Sequence, residues 1–254
     1  MFPVRVNVVT YNLWNTERWP TRAPALARFL AHLHPDVFCV QELRPETRYF
    51  IDAHLPRHAR VDDPTLGWST ESNIWWNTDL FDLVDHGAVD VGHLEPDRRL
   101  FWIRLRAATI SFIVATTHLT WQGHDEERRT GISPRRAQTT RCIAALAELA
   151  PPGEPVICAG DFNDPVTPMG YFRAAGYLAS HAALAQGAEA TQPAVASQQP
   201  DGVATCQPLD WMFANAAARP IATAVPKIYA DDIPPSDHWP IQTVYELTPP
   251  ARPA

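Results

Sequence analysis

Residues able to bind a metal or activate water follow a strand-like apolar run at positions 156–165, VICAGDFNDP. The run 156–159 is typical of a buried strand, and Pro165 prevents that strand from continuing. Asp161 and Asn163 are therefore expected at the carboxyl edge of a sheet, where open α/β sheets bind ligands. On an extended segment, side chains two residues apart face the same side, so the carboxylate and the carboxamide would point together. The segment taken alone is also compatible with an Asx-rich turn that caps the next helix.

Similar polar side chains stand at the ends of other predicted strands and in one rigid turn. They are Asn12 after 4–11, Glu42 after 37–40, His118 after 109–117, Asp210 in 209–213, and Asp237 with His238 in the proline-framed turn 234–240. Carboxylate and amide oxygens without a thiolate cluster suit a hard cation, Mg²⁺ or Mn²⁺. Such a cation would neutralise phosphate charge, while histidines and asparagines donate to phosphate oxygens and a carboxylate orients or deprotonates water.

Two predicted β-α-β units position these side chains. The first comprises strand 4–11, helix 23–33 with Thr21 as N-cap and Pro24 in its first turn, and strand 37–40. The second comprises strand 109–117, helix 133–149 and strand 156–159. A right-handed parallel crossover places both strand ends of a unit at the same sheet edge, so Asn12 should lie beside Glu42, and His118 beside Asp161.

The remaining segments add antiparallel strands and loops. We predict a short helix at 45–55, a hairpin of 73–77 and 80–84 around 77–79, and an antiparallel pair of 99–105 and 109–117. Residues 165–185 are expected to be helical in part, 186–208 to form a surface loop or mobile lid, and 209–213, 221–228 and 241–247 to be strands. Residues 1–248 are interpreted as one α/β domain with two sheets packed face to face, and 249–254 as a tail.

Composition narrows the class of protein. The net charge of −7 and the pI of about 5.8 argue against a broad basic face for duplex nucleic acid. No apolar run approaches the roughly 20 residues that span a bilayer, and the start lacks a basic segment followed by an apolar one. We expect a soluble, cytoplasmic monomer without a membrane span. The four cysteines contain no CxxC pair, so neither disulfides nor zinc is expected.

Two other catalytic classes fit poorly. Ser236, Asp237 and His238 are consecutive, so their side chains diverge and cannot form a serine-hydrolase relay, and no Gly-x-Ser-x-Gly elbow is present. The histidines also lack the short helical spacing of metalloprotease zinc motifs.

Six short motifs occur in an order that resembles the endonuclease/exonuclease/phosphatase superfamily. They are Asn12 after a strand, Gln41-Glu42, Thr117-His118-Leu119, Gly160-Asp161-Phe162-Asn163, Leu209-Asp210-Trp211 and Ser236-Asp237-His238. The resemblance covers nearly the whole chain. It implies a four-layer α-β-β-α sandwich with two packed mixed sheets, as in DNase I-like proteins, and Mg²⁺-dependent hydrolysis of phosphate esters, in which Mn²⁺ can substitute.

The resemblance also implies roles for individual residues. Glu42 resembles the principal metal ligand, with Asn12 and Asp237 near the metal. Asp161 resembles the residue that orients or activates water, and Asn163 a phosphate contact. His238 resembles the histidine that binds the scissile phosphate, Asp210 its carboxylate partner, and His118 a further phosphate-contacting histidine. Arg98 or Arg99 matches a family arginine that opens a strand, with the register ambiguous.

The substrate is the least determined part of this interpretation. We expect a phosphodiesterase or phosphatase acting on a nucleotide, a nucleic-acid end or another small phosphorylated molecule. A DNA or RNA endonuclease or exonuclease is the alternative, and a noncatalytic binding member of the fold is a further one. Trp14, Trp121 and Trp239 each lie within three residues of a candidate site residue, so their rings are predicted to form a rim that stacks on a base or covers a small apolar group near the scissile phosphate.

Overall fold

The computed structural model describes residues 3–108, 110–194 and 206–248, and in these ranges the chain forms twelve strands and six helices. The strands are β1 (Val4–Asn12), β2 (Val37–Gln41), β3 (His58–Arg60), β4 (Ser72–Asn77), β5 (Asp82–Val89), β6 (Leu100–Ala107), β7 (Ile110–His118), β8 (Val156–Asp161), β9 (Leu178–Ala179), β10 (Asp210–Ala214), β11 (Ala218–Ala224) and β12 (Ile241–Leu247). The helices are α1 (Ala23–Leu33), α2 (Pro45–His54), α3 (Asp125–Thr130), α4 (Arg135–Leu149), α5 (Thr167–Ala174) and α6 (Ser180–Ala183).

The strands form two six-stranded sheets. The first has the order β11-β12-β1-β2-β4-β3, and the second has the order β5-β6-β7-β8-β10-β9. In each sheet one central pair is parallel, β1 with β2 and β7 with β8, and every other pairing between strands is antiparallel. The two parallel pairs are the two β-α-β units expected from the sequence, with α1 and α4 as the crossover helices.

Three separate apolar cores show the four-layer arrangement. One core lies between the sheets, where Val8 and Cys39 of the first meet Val114 and Ile157 of the second. The first sheet packs its other face on α1 and α2, and the second sheet packs its other face on α4 and α5. Because β2 and β8 contact a core on both faces, all their residues are buried and their apolar runs 37–40 and 156–159 are continuous instead of alternating. The predicted α-β-β-α sandwich is confirmed.

Two local predictions were wrong. Residues 73–84 do not form a hairpin, because β4 pairs with β2 and β3 in the first sheet and β5 pairs with β6 in the second. The turn after Asn77 is closed by a bond from the Phe81 N–H to the Asn77 carbonyl. It connects β4 of the first sheet to β5 of the second. The N-cap of α1 is Arg22, with no side-chain capping bond, in place of Thr21.

Other boundaries shift by a few residues. The strand predicted at 221–228 is β11, Ala218–Ala224, and the helix predicted at 133–149 is α4, which starts at Arg135. The predicted loop 186–208 lies partly outside the described residues, as do the predicted tail 249–254 and position 109. The flanks of the loop that are described are paired with each other through a bridge between Gln192 and Gln207. Among the described residues no helix is both long and apolar enough to cross a membrane.

Candidate active site

Asp161 occupies the centre of the candidate site, at the end of β8. Strand register places His118 of β7 directly beside it on one side and Asp210 of β10 directly beside it on the other. Gly160 permits this approach, because a Cβ there would lie 2.0 Å from the Thr117 carbonyl oxygen and its φ of +140° is rarely adopted by other residues. The sequence motif Gly160-Asp161 thus has a steric cause.

His238 and Asp210 form the first of two buried histidine–carboxylate pairs around Asp161. Nδ1 of His238 lies 2.7 Å from Oδ2 of Asp210, and its Nε2 lies 3.8 Å from Oδ2 of Asp161. Burial opposes the charged imidazole, but the charges of Asp210 and Asp161 outweigh it and raise the pKa of His238 well above its usual value. Burial also raises the pKa of Asp210, and the charge of Asp161 adds to that shift.

His118 and Glu71 form the second pair. Nδ1 of His118 lies 2.7 Å from Oε1 of Glu71, and its Nε2 lies 3.5 Å from Oδ2 of Asp161. Burial and the positive charge of Arg98 tend to lower the pKa of His118, but Glu71 and Asp161 raise it overall. For Glu71, the cations His118, Arg98 and Arg44 outweigh burial and lower its pKa to about 2. His118 therefore sits in a network of fixed charges.

Glu71 was missed by the sequence analysis, and of the two adjacent arginines Arg98 is the one that contacts it. Nε of Arg98 lies 3.6 Å from Oε1 of Glu71, and Nη1 donates to the Leu119 carbonyl at 2.8 Å. Arg99 instead donates to the carbonyls of Pro96 and Arg98. Glu71 belongs to no motif, and the only signal for it was its position next to β4, whose first residue Ser72 pairs with Gln41.

Asn12 and Glu42 lie beside Asp161 at the end of the first sheet. The Asn12 amide nitrogen lies 3.1 Å from Oε1 of Glu42 and 3.0 Å from Oδ2 of Asp161, so one NH₂ group bridges the two carboxylates. The Trp14 backbone N–H donates to Oδ1 of Asn12 at 2.9 Å, and this bond fixes the direction of the amide. Asn12 therefore presents a donor to the site in this arrangement. Asn15 donates to the other carboxylate oxygen of Glu42 at 3.3 Å.

The turn that carries Asp237 and His238 is tied to both neighbouring segments. Ser236 donates its hydroxyl to the Asn12 carbonyl at 2.7 Å. On the other side, the fully buried Thr191 accepts the backbone N–H groups of Leu209 and Asp210 on its hydroxyl, and its carbonyl accepts the Trp239 N–H. Thr191 thus holds the strand of Asp210 against the turn of His238, a role that nothing in its sequence context indicated.

The expected geometry at Asn163 was wrong. Its φ is +49°, so the chain turns there and the extended spacing from Asp161 does not apply. The Asn163 backbone N–H donates to Oδ1 of Asp161 at 2.8 Å, and its side-chain amide donates to the Leu119 carbonyl at 3.0 Å. Asp164 then accepts the N–H groups of Val166 and Thr167, so the Asx turn that the sequence allowed is present just before α5, although the N-cap residue itself is Val166 and makes no side-chain cap bond.

The predicted tryptophan rim is only partly present. Trp121 has 44% of its surface exposed, and the Arg128 guanidinium lies 5.9 Å from the centre of its ring. Trp14 is half-buried between Arg18 and Arg22. Trp239 is only 4% exposed and packs against Tyr229, so it cannot stack on a ligand. Of the three rings, Trp121 is the one that is open to solvent on the His118 side.

The carboxylate oxygens near Asn12 are suitable ligands for a divalent cation. Burial raises the pKa of Asp237, and the negative charges of Glu42 and Asp161 raise it further although His238 opposes them. This accumulation of carboxylates is the electrostatic setting that a hard cation relieves. Asp161, Asp210 and His238 also offer ligand atoms within 4.8 Å of one another. We assign that group to the histidine pair instead, because Nδ1 of His238 is already bonded to Asp210 and a protonated imidazole does not ligate a metal.

Comparison with known proteins identifies the family. The family model described as "Endonuclease/Exonuclease/phosphatase family" matches residues 9–238, a range that includes all the candidate catalytic and metal-binding residues. The chain belongs to this family. Drosophila melanogaster "Protein angel" is 29% identical over 168 residues, which are 57% of this chain and 44% of the relative, so the match spans less than half of that protein's length.

Solved structures of the family share the fold at low sequence identity. D. rerio TDP2 complexed with single strand DNA product has a TM-score of 0.78 at 18% identity, with 95% of this chain and 98% of that chain covered. A mannosyl-6-phosphatase of Bacteroides thetaiotaomicron has a TM-score of 0.74 at 18% identity, with 94% and 98% covered. These similarities concern the fold. Family members are hydrolases that act on phosphoester bonds.

Proposed function

We propose that this protein is a Mg²⁺-dependent phosphoesterase that hydrolyses a phosphodiester or phosphomonoester by attack of water. The observation that carries the proposal is the position of Asp161, whose Oδ2 faces the imidazoles of His118 and His238 and the amide of Asn12 within 3.8 Å. A carboxylate that is surrounded by donors on three sides can orient a water molecule and receive its proton. The neighbouring donors are then available to phosphate oxygens.

The two histidines have separate tasks in this proposal. His238, whose proton is held by Asp210, binds the scissile phosphate and stabilises charge that develops on it. His118, whose proton is held by Glu71, contacts a second nonbridging oxygen, and Asn163 fixes the loop that follows His118 through the Leu119 carbonyl. Because Nδ1 of each ring is bonded to a carboxylate, Nε2 of each ring is the nitrogen that faces the reacting centre.

Glu42 and Asp237, with Asp161 beside them, would hold the cation. A bound Mg²⁺ or Mn²⁺ would supply charge neutralisation of the phosphate and would lower the pKa of a coordinated water. Asn12 and Asn15 orient the two oxygens of Glu42 by donating to one oxygen each. The residues proposed as metal ligands from the sequence thus reduce to the carboxylates, with Asn12 as the donor that holds them in place.

A nucleotide or a nucleic-acid end is the substrate that we favour. Trp121 is exposed beside the His118 side of the site, and Arg128 next to its ring can meet a phosphate. The TDP2 structure that shares this fold contains a single strand DNA product, which supports the same class. The mannosyl-6-phosphatase supports a small sugar phosphate as the second candidate. We propose that residues 1–248 act as one domain and that the protein works as a cytoplasmic monomer.

A substrate panel at fixed Mg²⁺ and salt tests the proposal. The panel holds bis-p-nitrophenyl phosphate, p-nitrophenyl phosphate, 5′- or 3′-blocked single-stranded oligonucleotides, nucleotides, sugar phosphates and supercoiled plasmid. We expect turnover that EDTA abolishes and that Mg²⁺ or Mn²⁺ restores. Activity that survives exhaustive chelation, or that only zinc supports, would contradict the proposed site. Rapid nicking of plasmid with negligible turnover of all small substrates would identify an endonuclease instead.

A further inference from the structure

Arg22 is a buried arginine that binds backbone carbonyls of two loops at the proposed metal site. It is 1% exposed, and its guanidinium donates to the carbonyls of Glu17 at 2.6 Å, Trp14 at 2.9 Å, Asn15 at 2.8 Å and Pro235 at 2.5 Å. Its charged group also lies 5.6 Å from the ring centres of both Trp14 and Trp19. No carboxylate of the described residues forms an ion pair with it, although a buried charge is costly without a partner.

The first of these loops, 14–17, orients the groups around the metal site. The Trp14 N–H fixes the amide of Asn12, and the Asn15 side chain donates to Glu42. Trp14 and Asn15 both have positive φ values, a conformation that is unfavourable for these residues unless surrounding bonds maintain it. Two of the carbonyls that Arg22 binds belong to these same two residues.

The second segment is the turn 234–240, more than two hundred positions away in the chain. Arg22 binds the carbonyl of Pro235, which directly precedes Ser236, Asp237 and His238. Ser236 adds a further bond between the two parts of the site by donating its hydroxyl to the Asn12 carbonyl. One planar group with five N–H donors therefore joins the loop that orients Asn12 and Glu42 to the turn that carries Asp237.

We propose that Arg22 is a positioning residue that sets the affinity of the site for its divalent cation. It does so by geometry: it holds loop 14–17, whose Asn15 donates to Glu42, against turn 234–240, which carries Asp237. The charge of Arg22 acts in the opposite sense, since a positive group near a cation repels it. The proposal rests on the metal site of the proposed function, and geometry and charge can be separated by substitution.

Direct Mn²⁺ binding, followed by the electron paramagnetic resonance signal of free Mn²⁺ without substrate, tests the inference. Arg22→Lys keeps the positive charge but loses the planar set of five N–H donors, and Arg22→Met loses both. We expect each variant to weaken Mn²⁺ binding about tenfold or more, the size of effect seen when groups that orient metal ligands are removed. Arg104→Lys is the matched control, because Arg104 also donates to a carbonyl and to Glu154 but lies within β6 opposite Ile113, away from the His118 end of β7. It should lower the melting temperature and leave Mn²⁺ affinity unchanged.

The outcomes separate the inference from the proposed function. Unchanged Mn²⁺ affinity in folded Arg22→Lys would overturn the geometric role, whether or not Arg22→Met binds Mn²⁺ more tightly. If Arg22→Met fails to fold, Arg22→Lys alone decides. A wild-type protein that binds Mn²⁺ but hydrolyses nothing refutes the proposed function, while the affinities still decide the role of Arg22. In an active protein, Arg22→Lys should raise the metal concentration for half-maximal rate more than it lowers the rate at saturating metal.

Discussion

The two histidine–carboxylate pairs have nearly the same geometry but different surroundings. In both, Nδ1 lies 2.7 Å from a carboxylate oxygen and Nε2 faces Asp161. Glu71 is surrounded by three cations, His118, Arg98 and Arg44, which lower its pKa to about 2 although burial raises it. Among the described residues, His238 is the one cation that pairs with Asp210, and Asp161 repels it, so burial dominates and the pKa of Asp210 is raised.

This difference indicates different roles for the two carboxylates. Arg98 and Arg44 lower the pKa of Glu71 in addition to His118, so this carboxylate belongs to a wider network of charges. Among the groups that act on Asp210, His238 is the cation that favours its charge, so these two groups depend on each other. We therefore propose that the His238 pair serves the chemical step and that the His118 pair combines binding with stability.

The largest effect on rate is expected at Asp161, which both pairs share. Asp161→Asn removes the proton acceptor while it keeps the size of the side chain, and we expect the catalytic rate to fall by about 10³-fold with substrate binding retained. The control is Asp164→Asn, because Asp164 forms an Asx turn before α5 and the asparagine side-chain oxygen can accept the same two N–H bonds. A comparable loss in both variants, measured as kcat and KM on the best substrate of the panel, would remove Asp161 from its central position.

Stability in acid should distinguish Glu71 from Asp210. A carboxyl whose pKa falls from 4.5 to about 2 on folding stabilises the protein above pH 4.5, by roughly 3 kcal/mol, and loses that contribution as the pH falls toward 2. The difference in free energy of unfolding between wild type and Glu71→Gln, measured in urea, should therefore be about 3 kcal/mol at pH 6. It should shrink as the pH falls to 3.5.

Asp210→Asn is the matched comparison and should behave in the opposite way. Folding raises the pKa of Asp210, so the cost of its ionised form in the native state decreases as the pH falls. Asp210→Asn also leaves the buried imidazole of His238 without its carboxylate partner, so we expect it to lower the free energy of unfolding at pH 6, by a difference from wild type that does not shrink between pH 6 and pH 3.5. The same decrease of both differences with falling pH would show that the two carboxylates do not differ in this respect.

Sequence and structure agree where local rules are sufficient. Short apolar runs with polar ends gave β1, β2, β7 and β8, and parallel crossovers then placed Asn12, Glu42, His118 and Asp161 at neighbouring strand ends. The hairpin at 73–84 failed because the turn residues are local, whereas the sheet that β5 joins is decided by its pairing with β6. Glu71 and Arg22 were missed because each acts on a segment far away in the chain, 47 positions for His118 and 213 for Pro235.

A double-mutant cycle on each pair should reveal the next difference. His238→Ala and Asp210→Asn should each lower the rate by about 10²-fold, and the double variant should be little worse, because either change already disables the unit. His118→Ala should cost less than His238→Ala in rate, and adding Glu71→Gln to it should mainly lower the melting temperature. Multiplicative rate losses for His238 and Asp210 would mean that the two residues act independently.

The smallest expected effect concerns the two tryptophans beside the pairs. Trp121 follows His118 and is exposed, whereas Trp239 follows His238 and is buried against Tyr229. If a base stacks on Trp121, Trp121→Ala should raise KM for a single-stranded oligonucleotide about fivefold, at the low end of the free energy of base–aromatic stacking, and leave KM for p-nitrophenyl phosphate unchanged. Trp239→Ala should instead lower the melting temperature, because it removes a packed ring near the His238 turn. Equal changes in KM for both substrates with Trp121→Ala would indicate that the ring shapes the site without contacting a base, and the preference for a nucleic-acid end would then pass to the small sugar phosphate.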